Sequence, residues 1–130
     1  MRQVDPCVYV IFGATGNLSA KKLLPALYHR EEAGKLPEGT YIIGLGRRPW
    51  EQDYWLEQVR TWLQEKARGG VNEEVLRRFC ARCEYLRGDL HAADLYQNLR
   101  ARILAPEMPP NVAFYMSISP TDFGGVVENL

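Results

Sequence analysis

The sequence has the length and composition of one soluble globular domain. Of its 130 residues 46% are hydrophobic and 25% charged, and 16 basic residues balance 16 acidic ones to a net charge of zero. These proportions argue against disorder, and the balanced charge argues against nucleic-acid binding, which needs a basic excess on one face. No apolar run approaches the ~20 residues of a membrane-spanning helix. We therefore expect a protein without nucleic-acid or membrane partners.

The N-terminus and the cysteines predict a cytoplasmic location. Residues 1–6 form a polar stretch, and the apolar run after it is too short for a signal peptide. Three cysteines, an odd number, do not make a disulfide framework and fit a reducing compartment.

Strands and helices alternate along the sequence. Apolar runs typical of buried strands predict strands at Cys7–Phe12, 40–45, 84–86 and 111–118. Apolar residues at helical spacing predict helices at 18–33, 54–68, 72–82 and Ala93–Ile103, and a fifth helix begins at Pro120 and Thr121. Within these helices Pro25 predicts a kink or a fresh start, and Asn72 predicts an N-cap.

This alternation predicts a parallel sheet with right-handed crossovers. The expected fold is α/β, a Rossmann-like doubly wound parallel sheet. Because such a sheet normally has six strands and four are predicted, we expect it to be truncated after the fourth strand. Residues 1–130 would then form one dinucleotide-binding domain that is incomplete at its C-terminus.

A glycine-rich turn joins the first predicted strand to the first predicted helix. Its residues are Gly13, Ala14, Thr15, Gly16, Asn17 and Leu18, and Ser19 takes the next small-residue position. Glycines here let the chain turn tightly and bring backbone N–H groups close to a pyrophosphate at the helix N-terminus. The placement favours a dinucleotide site over the alternative, an ordinary strand-to-helix connection.

Two lysines follow this turn. Lys21 and Lys22 fall in the first turns of the predicted helix, where a cation opposes the helix dipole. A bound anion would relieve that cost, and the alternative is a pair of solvated surface lysines.

The end of the second predicted strand indicates the cofactor. A site for NAD usually places Asp or Glu there, about 20 residues after the glycines, to bind the ribose hydroxyls. Here the strand runs into Gly46, Arg47 and Arg48, and the next carboxylate is Glu51. A guanidinium holds phosphate oxygens in a bidentate way, so Arg47 predicts a 2′-phosphate and therefore NADP.

Residue spacing indicates neither a metal site nor a catalytic group. Cys80 and Cys83 have the CxxC spacing, but one pair is half of a zinc site, and neither His29 nor His91 completes it. A redox CxxC usually opens a helix, whereas this one ends a predicted helix. The charges within 60–87 alternate in sign and predict a solvated face.

Five segments and one phenylalanine make the sequence resemble a known family. They read FGATGNL at 12–18, KLLPALY at 22–28, IIGLGR at 42–47, GDL at 88–90 and FYMSISP at 114–120, followed by Phe123. Over essentially all 130 residues the sequence resembles the N-terminal part of the glucose-6-phosphate dehydrogenase family, especially its bacterial members. The resemblance implies oxidation of glucose 6-phosphate to 6-phosphogluconolactone with reduction of NADP, which opens the pentose phosphate pathway, and a homo-oligomeric full-length protein.

The resemblance also implies roles for individual residues. Residues 13–19 would cradle the pyrophosphate, and Thr15 and Arg47 would hold the 2′-phosphate. Asp89 and Leu90 would line the adenine side, and Phe123 would lie near the nicotinamide. The implied cofactor-binding residues are thus Gly13, Ala14, Thr15, Gly16, Asn17, Leu18, Ser19, Arg47, Asp89, Leu90 and Phe123, and the implied substrate-binding residue, near the sugar phosphate, is Lys22.

Three residues depart from the family pattern. Asn17 stands where the family usually has Asp, Ser119 replaces the first of two prolines, and Ala20 replaces a common basic residue. The family's catalytic segments and substrate domain would lie beyond residue 130, so we expect the chain alone to be inactive. Two alternatives are an atypical short-chain-type NADP-dependent reductase, which usually has Gly where Ser19 stands, and a non-catalytic dinucleotide-binding module.

Overall fold

The structure, a computed structural model, describes residues 6–16, 22–67, 69–116, 118 and 123–129. The strands in these ranges are β1 (Cys7–Phe12), β2 (Tyr41–Gly46), β3 (Cys83–Arg87) and β4 (Asn111–Met116). The helices are α1 (Leu24–Glu32), α2 (Gln52–Lys66), α3 (Glu73–Ala81), α4 (Ala93–Ile103) and α5 (Phe123–Asn129).

The strands form one parallel sheet in the order β3-β2-β1-β4. β1 lies inside the sheet, where Val8 is the register partner of both Tyr41 on β2 and Val112 on β4. After β3 the chain crosses to the other side of β1, which makes a topological switch point at the carboxyl ends of the strands. The predicted α/β, Rossmann-like parallel sheet is confirmed.

Helices cover both faces of this sheet. The face that carries Ile11 packs against α1, α2 and α3, where Trp55 and Phe79 are completely buried. The face that carries Val10 packs against α4 and α5, where Leu95 is buried. Because successive side chains of a strand point to opposite faces, both apolar cores depend on the short β1.

Two predicted helix starts are confirmed by the structure. Pro25 lies in the first turn of α1, which begins at Leu24, because a proline there loses no helical hydrogen bond; the predicted helical residues 18–21 lie outside the described ranges. Asn72 caps α3, since its Oδ1 accepts the backbone N–H groups of Glu74 (3.0 Å) and Val75 (3.2 Å). No helix within the described ranges has both the length and the apolar character that crossing a membrane requires.

Other boundaries moved by a few residues. α2 begins at Gln52 rather than at Tyr54, because the chain turns from extended to helical backbone at Glu51. β4 ends at Met116, before the predicted end at Ile118, while β1 and α4 have the predicted bounds.

Gly44 on β2 lies where the sheet packs closely against the turn that follows β1. A Cβ at this position would lie 2.7 Å from the Ala14 Cβ and 2.7 Å from the Trp55 ring. Both neighbours are completely buried, so neither has room to withdraw. The absence of a side chain at Gly44 therefore sets how closely the turn and α2 approach the sheet.

Gly44→Ala is expected to destabilise the fold by about 1–3 kcal/mol or more, because the added methyl group overpacks a rigid core. Gly124→Ala is the matched control, since a Cβ at this helical position has no heavy atom within 4 Å. The control should keep or slightly raise stability, because alanine favours helix over glycine. Urea unfolding of both variants measures the difference, and equal midpoints would contradict the packing argument.

Arg82 joins three separate parts of the chain. Its guanidinium donates to the Glu31 carboxylate (3.1 Å), and to the carbonyl oxygens of Pro37 (2.9 Å), Thr40 (3.0 Å) and Leu36 (3.3 Å). Glu31 is only 5% exposed and Arg82 16%. The prediction that the charges within 60–87 form a solvated face is therefore wrong at Arg82, because its partners come from distant segments that local charge alternation does not reveal.

Removing Arg82 should cost about 1–3 kcal/mol, since Arg82→Ala leaves buried carbonyl oxygens unsatisfied. The Glu31 carboxylate then keeps the half-exposed Arg78, 3.4 Å away, as its remaining partner among the described residues. Arg77→Ala serves as the control: Arg77 pairs with Glu74 at 2.6 Å, but both side chains are more than half exposed. Such an exposed pair contributes little, so this variant should unfold almost like the parent. Chemical denaturation followed by circular dichroism distinguishes the two, and a stable Arg82→Ala variant would contradict the assignment.

Candidate functional site

A cavity of about 640 Å³ opens at the carboxyl edge of the sheet. Its volume lies within the range usual for small-molecule sites. The walls come from the ends of β1, β2 and β3 and from the segment after β4. The lining residues are Gly13, Thr15, Gly16, Leu45, Gly46, Arg47, Arg48, Asp89, Leu90, His91 and Ile118.

The glycine turn is fixed to the end of β2 by its own backbone. The N–H groups of Gly13 and Ala14 both donate to the Leu45 carbonyl oxygen at 2.9 Å, and Gly16 donates to the Gly13 carbonyl at 3.1 Å. Gly13 has a φ of +83°, a conformation that favours glycine. These three N–H groups are engaged within the protein, so they shape the turn that forms one wall of the cavity.

Ala14 lies under the turn and not in the cavity wall. Its side chain is completely buried against Gly44, and its carbonyl oxygen accepts the Trp55 Nε1–H at 3.4 Å. Direct contact between Ala14 and a cofactor stays a prediction; the structure gives this residue a supporting contact with α2.

Gly46 forms the floor of the cavity. A Cβ at Gly46 would lie 2.9 Å from the Tyr85 Oη and 3.0 Å from the Thr15 Cγ2. The Tyr85 hydroxyl donates to the Arg48 carbonyl at 2.8 Å. Burial raises the pKa of the Tyr85 phenol, and the charges of Arg87 and Arg48 oppose that rise. The neutral phenol thus holds the loop after β2 in place.

The two arginines of this loop are held differently. The Arg48 guanidinium lies 5.6 Å from the centroid of the Trp50 ring, a cation–π distance. The exposed Arg47 makes no side-chain hydrogen bond or ion pair with any described residue and lines the cavity. Arg47 is therefore the guanidinium that is available to an anion.

The loop after β3 is ordered by its own hydrogen bonds. Asp89 Oδ1 accepts the His91 N–H at 2.8 Å, and the Asp89 carbonyl accepts the Ala92 N–H at 3.0 Å. The Leu90 carbonyl accepts the Tyr96 hydroxyl at 2.7 Å. Asp89 and Leu90 line the same cavity as the glycine turn.

The structure brings together part of the predicted site. Of the predicted cofactor-binding residues, those in the cavity wall are Gly13, Thr15, Gly16, Arg47, Asp89 and Leu90. Asn17, Leu18 and Ser19 lie outside the described ranges, as does the side chain of Phe123, whose backbone begins α5. Lys22 is exposed just before α1 and does not line the cavity.

Sequence reasoning missed five lining residues, namely Leu45, Gly46, Arg48, His91 and Ile118. Gly46 and Arg48 flank Arg47, so the end of β2 could have been predicted as a continuous wall. Leu45 and Ile118 carry no such signal, because apolar residues at strand ends occur in every parallel sheet.

Cys80 and Cys83 of the CxxC motif are buried at the junction of α3 and β3. Cys80 lies in the last turn of α3 and Cys83 begins β3, which confirms that the motif ends a helix. Burial raises the pKa of both thiols, and that of Cys83 well above its usual value. Within the described ranges, no group of three His, Cys, Asp or Glu residues is arranged to hold a metal ion.

Comparison with known proteins gives a consistent result for sequence and fold. The family described as "Glucose-6-phosphate dehydrogenase, NAD binding domain" matches residues 10–130. The glucose-6-phosphate 1-dehydrogenases of Gluconobacter oxydans and Rhizobium meliloti are each 34% identical to the chain, over 99% and 98% of its length. The chain spans 27% and 26% of those relatives, about a quarter of their length.

Solved structures agree with this result. The crystal structure of glucose-6-phosphate 1-dehydrogenase from Mycobacterium avium superposes with a TM-score of 0.87 at 29% identity, covering 98% of this chain and 26% of that one. A glucose-6-phosphate dehydrogenase in complex with its substrate glucose-6-phosphate superposes with a TM-score of 0.81 at 28% identity, covering 100% of this chain and 28% of that one. By sequence, fold and extent of match, the chain belongs to the glucose-6-phosphate dehydrogenase family and corresponds to its NAD-binding domain.

Proposed function

We propose that this chain is the NADP-binding part of a cytoplasmic glucose-6-phosphate 1-dehydrogenase. The observation that carries the choice of NADP is Arg47, an exposed guanidinium without a side-chain partner among the described residues, at the end of β2. An NAD site would usually have a carboxylate there to accept hydrogen bonds from the ribose, and a guanidinium instead suits a phosphate.

The cavity has the features that the adenosine half of NADP requires. The glycine turn closes one wall, and Gly46 leaves the floor free of a side chain that would collide with Thr15. We assign the 2′-phosphate to Thr15 and Arg47, and the adenine to Asp89 and Leu90. The pyrophosphate lies along residues 13–19 in this proposal, with the nicotinamide toward Phe123.

Bound NADP supplies the acceptor for a hydride from C1 of glucose 6-phosphate, which becomes 6-phosphogluconolactone. This chain binds and orients the cofactor for that step, and Lys22 attracts the sugar phosphate. About three quarters of the related enzymes has no counterpart in these 130 residues. We assign the base that removes the C1 hydroxyl proton, the sugar-binding residues and the subunit contacts of a homo-oligomer to that remainder. No observation favours a short-chain-type reductase or a non-catalytic module.

Replacing Arg47 tests the cofactor assignment. A charge-assisted contact to a phosphate corresponds to about ten- to hundredfold in affinity, so Arg47→Asp should abolish or reverse a preference for NADP over NAD. Calorimetric titration of both dinucleotides measures the ratio. Lys66→Asp, at the far end of α2, is the control for net charge and should keep the parent's ratio. An unchanged ratio in Arg47→Asp would contradict the assignment.

The 130-residue chain by itself should not oxidise glucose 6-phosphate. General-base catalysis needs a group within about 3 Å of the reacting hydroxyl, and neither histidine is suitably placed. The His29 Nδ1 lies 3.4 Å from Glu32 on α1, and His91 lies on the proposed adenine side. NADPH absorbance should not increase with the chain, NADP and sugar, while the Gluconobacter oxydans enzyme serves as the positive control. Turnover by the chain would contradict the placement of the base.

A further inference from the structure

Arg87 ends β3 directly beside the loop that carries Arg47. Arg87 is the register partner of Gly46, and the Gly88 N–H donates to the Gly46 carbonyl at 2.9 Å. Each arginine is thus adjacent in sequence to one end of the same backbone hydrogen bond. The ends of β2 and β3 therefore present two guanidinium-bearing residues side by side.

A second cavity, of about 340 Å³, lies between these two arginines and the start of α4. It adjoins the larger cavity, because Arg47 and Asp89 line both. The position of its wall is constrained, since a Cβ at Gly88 would lie 2.5 Å from the Leu95 Cδ1. Arg87 thus lines a cavity that adjoins the space assigned to the cofactor.

Two arginines and two aspartates line this second cavity. Arg47 and Arg87 are both exposed, and neither has a side-chain hydrogen bond or ion pair within the described ranges. The carboxylates in the same wall are Asp89, whose Oδ1 accepts the His91 N–H, and Asp94, in the first turn of α4, where a negative charge suits the helix dipole. Both carboxylates thus have structural roles, and a further anion would stabilise two neighbouring cations.

We propose that Arg87 is a second specificity-determining residue for the 2′-phosphate of NADP and acts together with Arg47. This inference rests on the proposed function. A phosphate monoester carries nearly two negative charges at neutral pH and offers three acceptor oxygens, so it can accept hydrogen bonds from two guanidinium groups at once. NAD has a hydroxyl group where NADP has the 2′-phosphate, so Arg87 strengthens the binding of NADP and not that of NAD.

Calorimetric titration of the chain with NADP, NAD and adenosine 2′,5′-bisphosphate tests the proposal. Arg87→Gln should weaken both 2′-phosphorylated ligands about fivefold and leave the affinity for NAD within twofold, the size expected for an exposed ion pair. Arg87→Lys should lie between the parent and Arg87→Gln, because it keeps the charge without the planar fork. Lys66→Gln removes the same charge at the far end of α2 and should bind like the parent.

The outcomes separate this inference from the proposed function. If the parent prefers NADP, and Arg47→Asp loses the preference while Arg87→Gln binds like Lys66→Gln, the role of Arg87 is overturned and the proposed function stands. If the parent binds no dinucleotide, both are overturned. Selective loss of the 2′-phosphorylated ligands in Arg87→Gln, with a circular dichroism spectrum like the parent's, supports the proposal.

Discussion

A single carbonyl oxygen, that of Leu45, relates the glycine turn to the rest of the site. It accepts the N–H groups of Gly13 and Ala14, so the turn after β1 is attached to the end of β2. Arg47 follows Leu45 by only two peptide bonds, and consecutive Cα atoms are about 3.8 Å apart. The spacing between the turn and the Arg47 backbone is therefore set by two hydrogen bonds and two peptide units.

This attachment requires that the end of β2 carry no side chain on the face below the turn. Gly44 and Gly46 occupy the last two positions of β2 on that face, after Ile42, and a Cβ at either would collide with Ala14 or Thr15. The IIGLG pattern of the strand is thus a packing requirement, and it precedes any requirement of the cofactor. The turn has to pack closely against the sheet before it can hold a ligand.

Arg82 differs from Arg47 and Arg87 in the hydrogen-bond acceptors that surround its guanidinium. Arg82 is surrounded by the carbonyl oxygens of the 36–40 segment and by the Glu31 carboxylate, so its donors are used within the fold. Arg47 and Arg87 lie at strand ends where the neighbouring carbonyl oxygens already accept bonds from the sheet and the turn. Within the described residues, neither side chain makes a hydrogen bond or an ion pair.

Local patterns in the sequence account for most of the elements but not for their arrangement. The apolar run of β1 and the cap at Asn72 are properties of neighbouring residues, and both could be predicted. The order of the strands and the partners of Arg82 depend on contacts between residues far apart in sequence, which periodicity does not encode. The site divides in the same way: Arg47 follows from the end of one strand, whereas His91 and Arg87 become lining residues only when β3 lies beside β2.

Trp55 lies directly beneath the glycine turn, so tryptophan fluorescence can report on this region. Its ring is completely buried, stacks on Tyr85 with centroids 5.5 Å apart, and its Nε1–H donates to the Ala14 carbonyl beneath the glycine turn. Trp50 and Trp62 lie as a separate pair, with centroids 6.4 Å apart. The indole of Trp55 is therefore an intrinsic fluorophore bonded to the turn that forms one wall of the cavity, and a displacement of the turn would change its surroundings.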